Sequence, residues 1–171
     1  MNLRTRTCIG TLAALLGLAA AAMAHADSDR LMPHNVPRAF MQECASCHTA
    51  YPPAMLPARS WQRILDGLDR HYGTDASLDA ATVQQISRWL QANAGGYERV
   101  REEPPQDRIT RSAWFVRKHR EIHPSVFKLA SVKSAANCAA CHAGADRGNF
   151  DDDHLKLPAG VDARARRQWN D

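Results

Sequence analysis

ECASCH (residues 43–48) and NCAACH (residues 137–142) decide how this chain is read. Each unit holds two cysteines separated by two residues, with a histidine directly after the second. Such a unit can bind a haem covalently, contribute to a zinc site or form a redox disulfide. Each chemistry builds a different core, so the choice among them is also a choice of fold.

The N-terminus narrows the choice. The chain opens MNLRTRTCIGTLAALLGLAAAAMAHA, with Arg4 and Arg6, then an Ala/Leu-rich run, then Ala24 and Ala26 around His25. A basic start, an apolar middle and an A-x-A ending describe a secretory signal peptide cleaved after Ala26. The apolar run falls short of the roughly 20 residues that span a bilayer. Nothing later in the sequence is apolar enough to insert, and Cys8 and His25 leave with the signal. Cleavage leaves 20 basic against 18 acidic residues, a balance that excludes a nucleic-acid footprint. The four remaining cysteines stand two and two in an exported chain.

Haem attachment explains these units best. In c-type cytochromes the two thiols add to the porphyrin vinyl groups, and the adjoining histidine is delivered to one face of the iron. Zinc knuckle pairs usually lie about 15–20 residues apart, far closer than Cys44 and Cys138. Thioredoxin-like motifs follow a β-strand, and no strand-forming run precedes either unit. Two haem c groups are therefore expected, held by Cys44 and Cys47 and by Cys138 and Cys141, with His48 and His142 as proximal iron ligands.

Function turns on the opposite axial position. Methionine there raises the potential, histidine lowers it, and an open site admits small molecules. A ligand must travel about 25 Å around the porphyrin edge, which at roughly 3.3 Å per residue takes about eight extended residues. Met55, only seven positions after His48, is too close, and Met41 enters the motif on its proximal side. SWQRILDGLDRHYG (residues 60–73) reads as a helix capped by Ser60 and ended by Gly73, with Trp61, Ile64, Leu65 and Leu68 on its apolar stripe. His71 lies three residues beyond Leu68, on the edge of that stripe. In RSAWFVRKHREIHPSVF (residues 111–127), His119 follows Phe115 by four and shares its helical face, while Arg117 and Lys118 can reach propionates. His123 is a rival one turn later, but Pro124 restricts its backbone, and His119 is preferred. His34 and His154 read as solvent histidines, and DDDH (residues 151–154) as a solvated turn.

The remaining periodicity is helical. Asp79 can cap AATVQQISRWLQANAGG, whose apolar face is Val83, Ile86, Trp89 and Leu90 and whose stop is Gly95-Gly96. YERVREEPPQDR (residues 97–108) reads as a linker, SAANCAACH (residues 134–142) as a short helix entering the second motif, and the arginine-rich end as peripheral. The expected organisation is a signal peptide over residues 1–26, a helical haem-binding domain over 27–96 and a shorter, helix-poor segment over 97–171 wrapped around a second haem.

Together, ECASCHTAYPPAMLPARSWQRILDGLDRHYG, AWFVRKH and NCAACHAGADRGNF resemble the dihaem cytochrome c family of proteobacteria, often called DHC, over most of the mature chain. The resemblance rests on Tyr51-Pro52-Pro53, Ser60-Trp61, His71-Tyr72-Gly73 and Trp114-Phe115 as well as on the two haem motifs. Tyr72 departs from the phenylalanine more familiar at that place. The resemblance implies a mostly α fold with a class I cytochrome c-like N-terminal lobe, and axial pairs of His48 with His71 and of His142 with His119. It further implies a periplasmic electron carrier, not an enzyme, working with other redox proteins such as an oxygen-binding monohaem cytochrome c and a membrane b-type cytochrome. The competing reading is a dihaem enzyme or gas sensor, of peroxidase or NO/O2-binding type, with one five-coordinate haem.

Overall fold

The computed structural model describes residues 31–97 and 100–162. The signal segment, with Cys8 and His25, and the arginine-rich end from residue 163 onward lie outside the described residues. Among the described residues the regular structure is helical: four α-helices joined by short 3-10 turns, with two isolated bridges, His71 to Thr74 and His142 to Leu155, in place of any strand.

Helix α1 (Arg38–Cys44) begins after Pro37, whose φ of −62° and ψ of 137° set the chain extended just before the first turn. It carries the chain into the first motif and buries Phe40. Helix α2 (Ala58–Asp66) starts three residues earlier than an N-cap at Ser60 implied. Pro57 occupies its N-cap, and Ser60 sits inside the first turn, fully buried. The helix also ends earlier, at Gly67, and a 3-10 turn (Leu68–Arg70) carries the chain on to His71. Gly67 interrupts the run because glycine loses the most backbone entropy in a helix. The apolar stripe itself is as expected: Trp61 and Leu65 are buried, Ile64 and Leu68 partly so.

Helix α3 (Ala80–Asn93) matches its sequence reading. The Asp79 carboxylate accepts from the Ala81 and Thr82 amides, each at 3.0 Å, satisfying two of the donors that a helix start leaves open. Ile86, Trp89 and Leu90 are buried. The helix stops before Gly95, whose φ of +72° is left-handed and whose position leaves a Cβ only 3.2 Å from the Val100 carbonyl. Helices α1 and α2 both pack on α3, and Phe40 meets Trp89 at a centroid distance of 4.6 Å. This is the first core.

The segment read as a linker is docked, not free: it is tied to α2 and contributes to a second core. Val100 is buried, and Arg63 of α2 reaches across to Asp107 at 2.6 and 2.9 Å and to Glu103 at 2.8 Å. Mixed charge here serves an ion-pair network instead of a solvated spacer. Gln106 and Asp107 both take positive φ, 60° and 55°.

Helix α4 (Ala113–Lys118) is capped by Ser112, whose Oγ accepts from the Phe115 amide at 3.3 Å. The helix expected over SAANCAACH is a single 3-10 turn, Cys138–Ala140. Polar side chains take over the backbone before it: Ser134 Oγ accepts from the Ala136 amide at 3.1 Å, and Asn137 Nδ2 donates to the Val132 carbonyl at 3.0 Å. Such local bonds compete with helix formation. A second core joins Met55, Val100, Trp114 and Phe115, with Leu31 packed against it. The start of the described chain therefore shares this core with α4. Gly148 fits the crossing: a Cβ there would lie 2.3 Å from that of Met32, while its carbonyl accepts from the Leu31 amide at 2.9 Å.

Candidate haem sites

The four histidines singled out by motif and periodicity meet in two pairs. The ring centroids of His48 and His71 stand 6.1 Å apart with planes 21° from parallel. Those of His119 and His142 stand 6.3 Å apart with planes at 75°. Two imidazoles on opposite sides of one metal, each bonded at about 2 Å, have centroids roughly 6 Å apart once the distance from each nitrogen to its ring centre is added. Both pairs match that separation.

The first pair lines a cavity of about 560 Å3 that also holds Cys47, Tyr51 and Arg108 on its wall. That volume falls within the roughly 300–1,000 Å3 of small-molecule and cofactor sites. Cys44 is not on that wall and packs against the first core. The second pair lines a cavity of about 170 Å3 with Cys138, Cys141, Phe115 and Phe150. This is tighter than a porphyrin requires, so the lining side chains would have to open out around a bound group. Fit is thus good at the first site in both spacing and volume, and at the second in spacing and donor set.

Each imidazole is prepared by its neighbours. His48 Nδ1 lies 2.7 Å from the Thr49 carbonyl, and His119 Nδ1 2.9 Å from the Phe115 carbonyl. A carbonyl only accepts, so Nδ1 carries the proton and Nε2 keeps its lone pair for a metal. Burial, then His48 and Arg108, holds His71 below the ordinary imidazole range. Burial does the same for His119 against the opposing pull of Phe115. His142 is lowered by burial, partly offset by the Asp151 backbone. Neutral imidazole is the form that ligates. The Nδ1 of His142 is buried beside the Asp151 backbone, so the ring is withdrawn from water.

The thiols argue against redox-disulfide chemistry. Burial, with Glu43 adding to it, pushes Cys44 up to about 11, and burial does the same for Cys138; Cys141 is also raised by burial. Reactive dithiols are instead held low. Among the described residues no three His, Cys, Asp or Glu side chains converge on a metal-binding point, so a zinc site has no ligand cluster to occupy.

Neither His71 nor His119 stands within a full helix. His71 leads a tight turn whose central residues, Tyr72 and Gly73, have φ of 50° and 99°, with the Thr74 amide closing it onto the His71 carbonyl at 3.0 Å. Positive φ at both places is the demand that a glycine meets best. Tyr72 Oη donates to the carbonyls of Gln106 and Asp107 at 3.2 and 3.1 Å, and the Arg108 guanidinium lies 4.2 Å over its ring. The docked linker thereby clamps the His71 turn. His119 forms the C-cap of α4, and its ring stacks on Phe115 at 4.0 Å. His123 points elsewhere: exposed, it bonds Ser125 Oγ through Nδ1 at 2.8 Å.

Other sequence readings are also resolved. His154 is exposed and pairs with Asp151 at 2.9 Å in a surface turn. His34 is exposed. Met32 is buried in the first core, Met41 packs against it, and Met55 belongs to the second. Lys118 lines the second cavity. Sequence reasoning missed Tyr51, Arg63, Asp107 and Arg108, whose roles depend on partners more than thirty positions away. The Tyr51-Pro52-Pro53 run was the one available signal for the first of these.

Comparison with known proteins adds independent observations. Residues 40–150 match the family model described as dihaem cytochrome c. A crystal structure of DHC purified from Rhodobacter sphaeroides is 43 % identical, with 67 % of this chain covering 97 % of that one at a TM-score of 0.59. The X-ray structure of a dihaem cytochrome c from Shewanella baltica OS155 is 35 % identical, with 72 % of this chain covering 96 % of that one at a TM-score of 0.62. No curated protein matched. Two Cys-x-x-Cys-His units, two imidazole pairs at metal-bridging distance and the family match agree: the chain belongs to the dihaem cytochrome c family, a haem-based redox protein with two covalently attached c-type haems.

Proposed function

We propose that this protein is a periplasmic electron carrier in which both haem irons are held between two histidines. Cys44 and Cys47 would attach the first haem, with His48 and His71 as its axial ligands; Cys138 and Cys141 would attach the second, with His142 and His119. The observation that carries this reading is the separation of the two imidazole pairs, 6.1 and 6.3 Å, which leaves room for one metal and no exogenous ligand. When bound, haem supplies a one-electron couple, and a second histidine in the axial position favours a lower potential than methionine would.

The polypeptide's part is to keep that couple closed and stiff. Phe115 braces His119, the Tyr72–Gln106–Asp107 contacts brace His71, and Thr49 fixes the tautomer of His48. With no open axial position there is no place for substrate, which supports a carrier over an enzyme or gas sensor. The signal-like N-terminus supports export, and among the described residues no helix is long and apolar enough to cross a membrane. Expected partners are other redox proteins, among them an oxygen-binding monohaem cytochrome c and a membrane b-type cytochrome.

Electron paramagnetic resonance of the purified ferric protein tests the reading. Two low-spin signals are expected, and they should differ, because near-parallel and crossed imidazole planes split the iron d orbitals unequally. Carbon monoxide should leave the reduced spectrum unchanged. A high-spin ferric signal, or rapid complete carbon monoxide binding at one haem, would establish the five-coordinate alternative instead.

A further inference from the structure

The two cavities share a wall: Ile109, Ser134, Asn137 and Cys138 line both. Cys138 is thus at once a candidate thioether anchor of the second site and part of the boundary of the first. One side chain from the N-terminal half reaches this wall. The Tyr51 ring stacks on His48, with centroids 5.0 Å apart and planes 22° from parallel, and its hydroxyl donates to the Ala136 carbonyl at 2.6 Å. Ala136 stands two residues before Cys138. The same stretch makes a second tie, since the Met55 carbonyl accepts from Trp114 Nε1 at 3.2 Å, beside the Phe115 that stacks on His119.

We propose that Tyr51 is a positioning residue for electron exchange between the haems, stacked on the proximal imidazole of one and hydrogen-bonded to the backbone that enters the attachment motif of the other. This rests on the reading of the two histidine pairs as haem sites. Tunnelling falls off more slowly through bonds and hydrogen bonds than through empty gaps. The contacts from His48 through Tyr51, Ala136 and Asn137 to Cys138 contain one ring stack and one short hydrogen bond, and the rest is covalent. The step is a single-electron exchange: one electron leaves a ferrous iron at one site and reduces a ferric iron at the other, no atom is transferred, and the Tyr51 phenol keeps its proton throughout. The hydrogen bond also fixes the gap, because it spans 85 positions of sequence and pins one motif's approach to the other's flank.

The test is Tyr51→Phe in the haem-loaded protein. Tyr51→Phe keeps the ring that stacks on His48, and the low-spin spectra of both haems report whether the sites are intact. One haem is reduced by a short light pulse, and redistribution of the electron is followed optically at matched driving force, with haem potentials measured separately. Tyr51→Phe is expected to slow redistribution severalfold while both haems stay low-spin, and Tyr51→Leu, which also removes the stacked ring, to slow it further. A wild-type rate in Tyr51→Phe overturns the proposal. If the wild-type protein itself shows no redistribution between haems, the relay reading falls and this inference with it.

Discussion

At the scale of single residues, His71 and His119, the proposed distal ligands, carry the functional distinction. His119 and His123 both follow Phe115 on one short segment, and sequence spacing separates them only through Pro124. Their surroundings in three dimensions differ more sharply. His119 stacks on Phe115 and faces His142, whereas His123 is exposed and bonded to Ser125. His119→Ala is therefore expected to convert one of the two haems to a high-spin ferric state, removing about half of the low-spin signal, while His123→Ala leaves both haems low-spin. Resonance spectra of the two variants check this, and the reverse pattern would exchange their roles. The motif residues were readable because covalent attachment demands local spacing. Tyr51, Tyr72 and Arg108 were not, because their work lies in contacts with residues far along the chain.

At the scale of elements, the helix caps and apolar stripes were visible and the ends were less so. Asp79 and the Val83–Leu90 face followed directly from side chain type and helical period. Ser60 misled because a serine followed by an apolar stripe looks like an N-cap, while Pro57, three residues earlier, already provides an extended entry. The linker misled more deeply: charge and proline suggested solvent, yet Arg63 binds Asp107 and Glu103 and turns the segment into a clamp on the His71 turn. That clamp has a pH dependence. Hydrogen bonds from Arg63 hold the Asp107 carboxyl below the usual carboxylate range. Its folded value lies under the unfolded one of about 3.9, so the unfolded chain binds more protons in acid. The stabilisation is fully present above that value and is lost as pH falls toward and through the folded one. Melting temperatures recorded below about pH 4 should drop more steeply for the wild-type protein than for Asp107→Asn, and equal slopes would show that the pair contributes nothing.

At the scale of the whole molecule, the two protein cores are small and each borders a cavity. The first cavity, about 560 Å3, has Leu56 and Ile64 of the first core on its wall, so a bound porphyrin would add apolar burial that the small cores do not supply alone. Protein made in cells unable to attach c-type haem is therefore expected to lack a cooperative thermal transition, while the haem-loaded protein melts in one or more sharp steps. Calorimetry on the two preparations decides it, and a cooperative transition in the haem-free chain would show that the polypeptide alone suffices. The cores also interlock: Leu31 and Met55 join Trp114 and Phe115, so the second haem's surroundings draw on residues from before and after the first motif.

What the chain determines by itself is the chemistry and the local geometry that chemistry needs. Two Cys-x-x-Cys-His units, a histidine a few positions past each apolar stripe and the capped third helix are short-range facts, legible because attachment, capping and helical periodicity all act within a few residues. Which histidines face each other, how their planes are turned and how the two sites touch were decided only by tertiary structure. Those features depend on a buried aromatic, a bidentate ion pair and a hydrogen bond between residues dozens of positions apart, and such contacts leave no period in the sequence because nothing but the folded backbone brings their partners together.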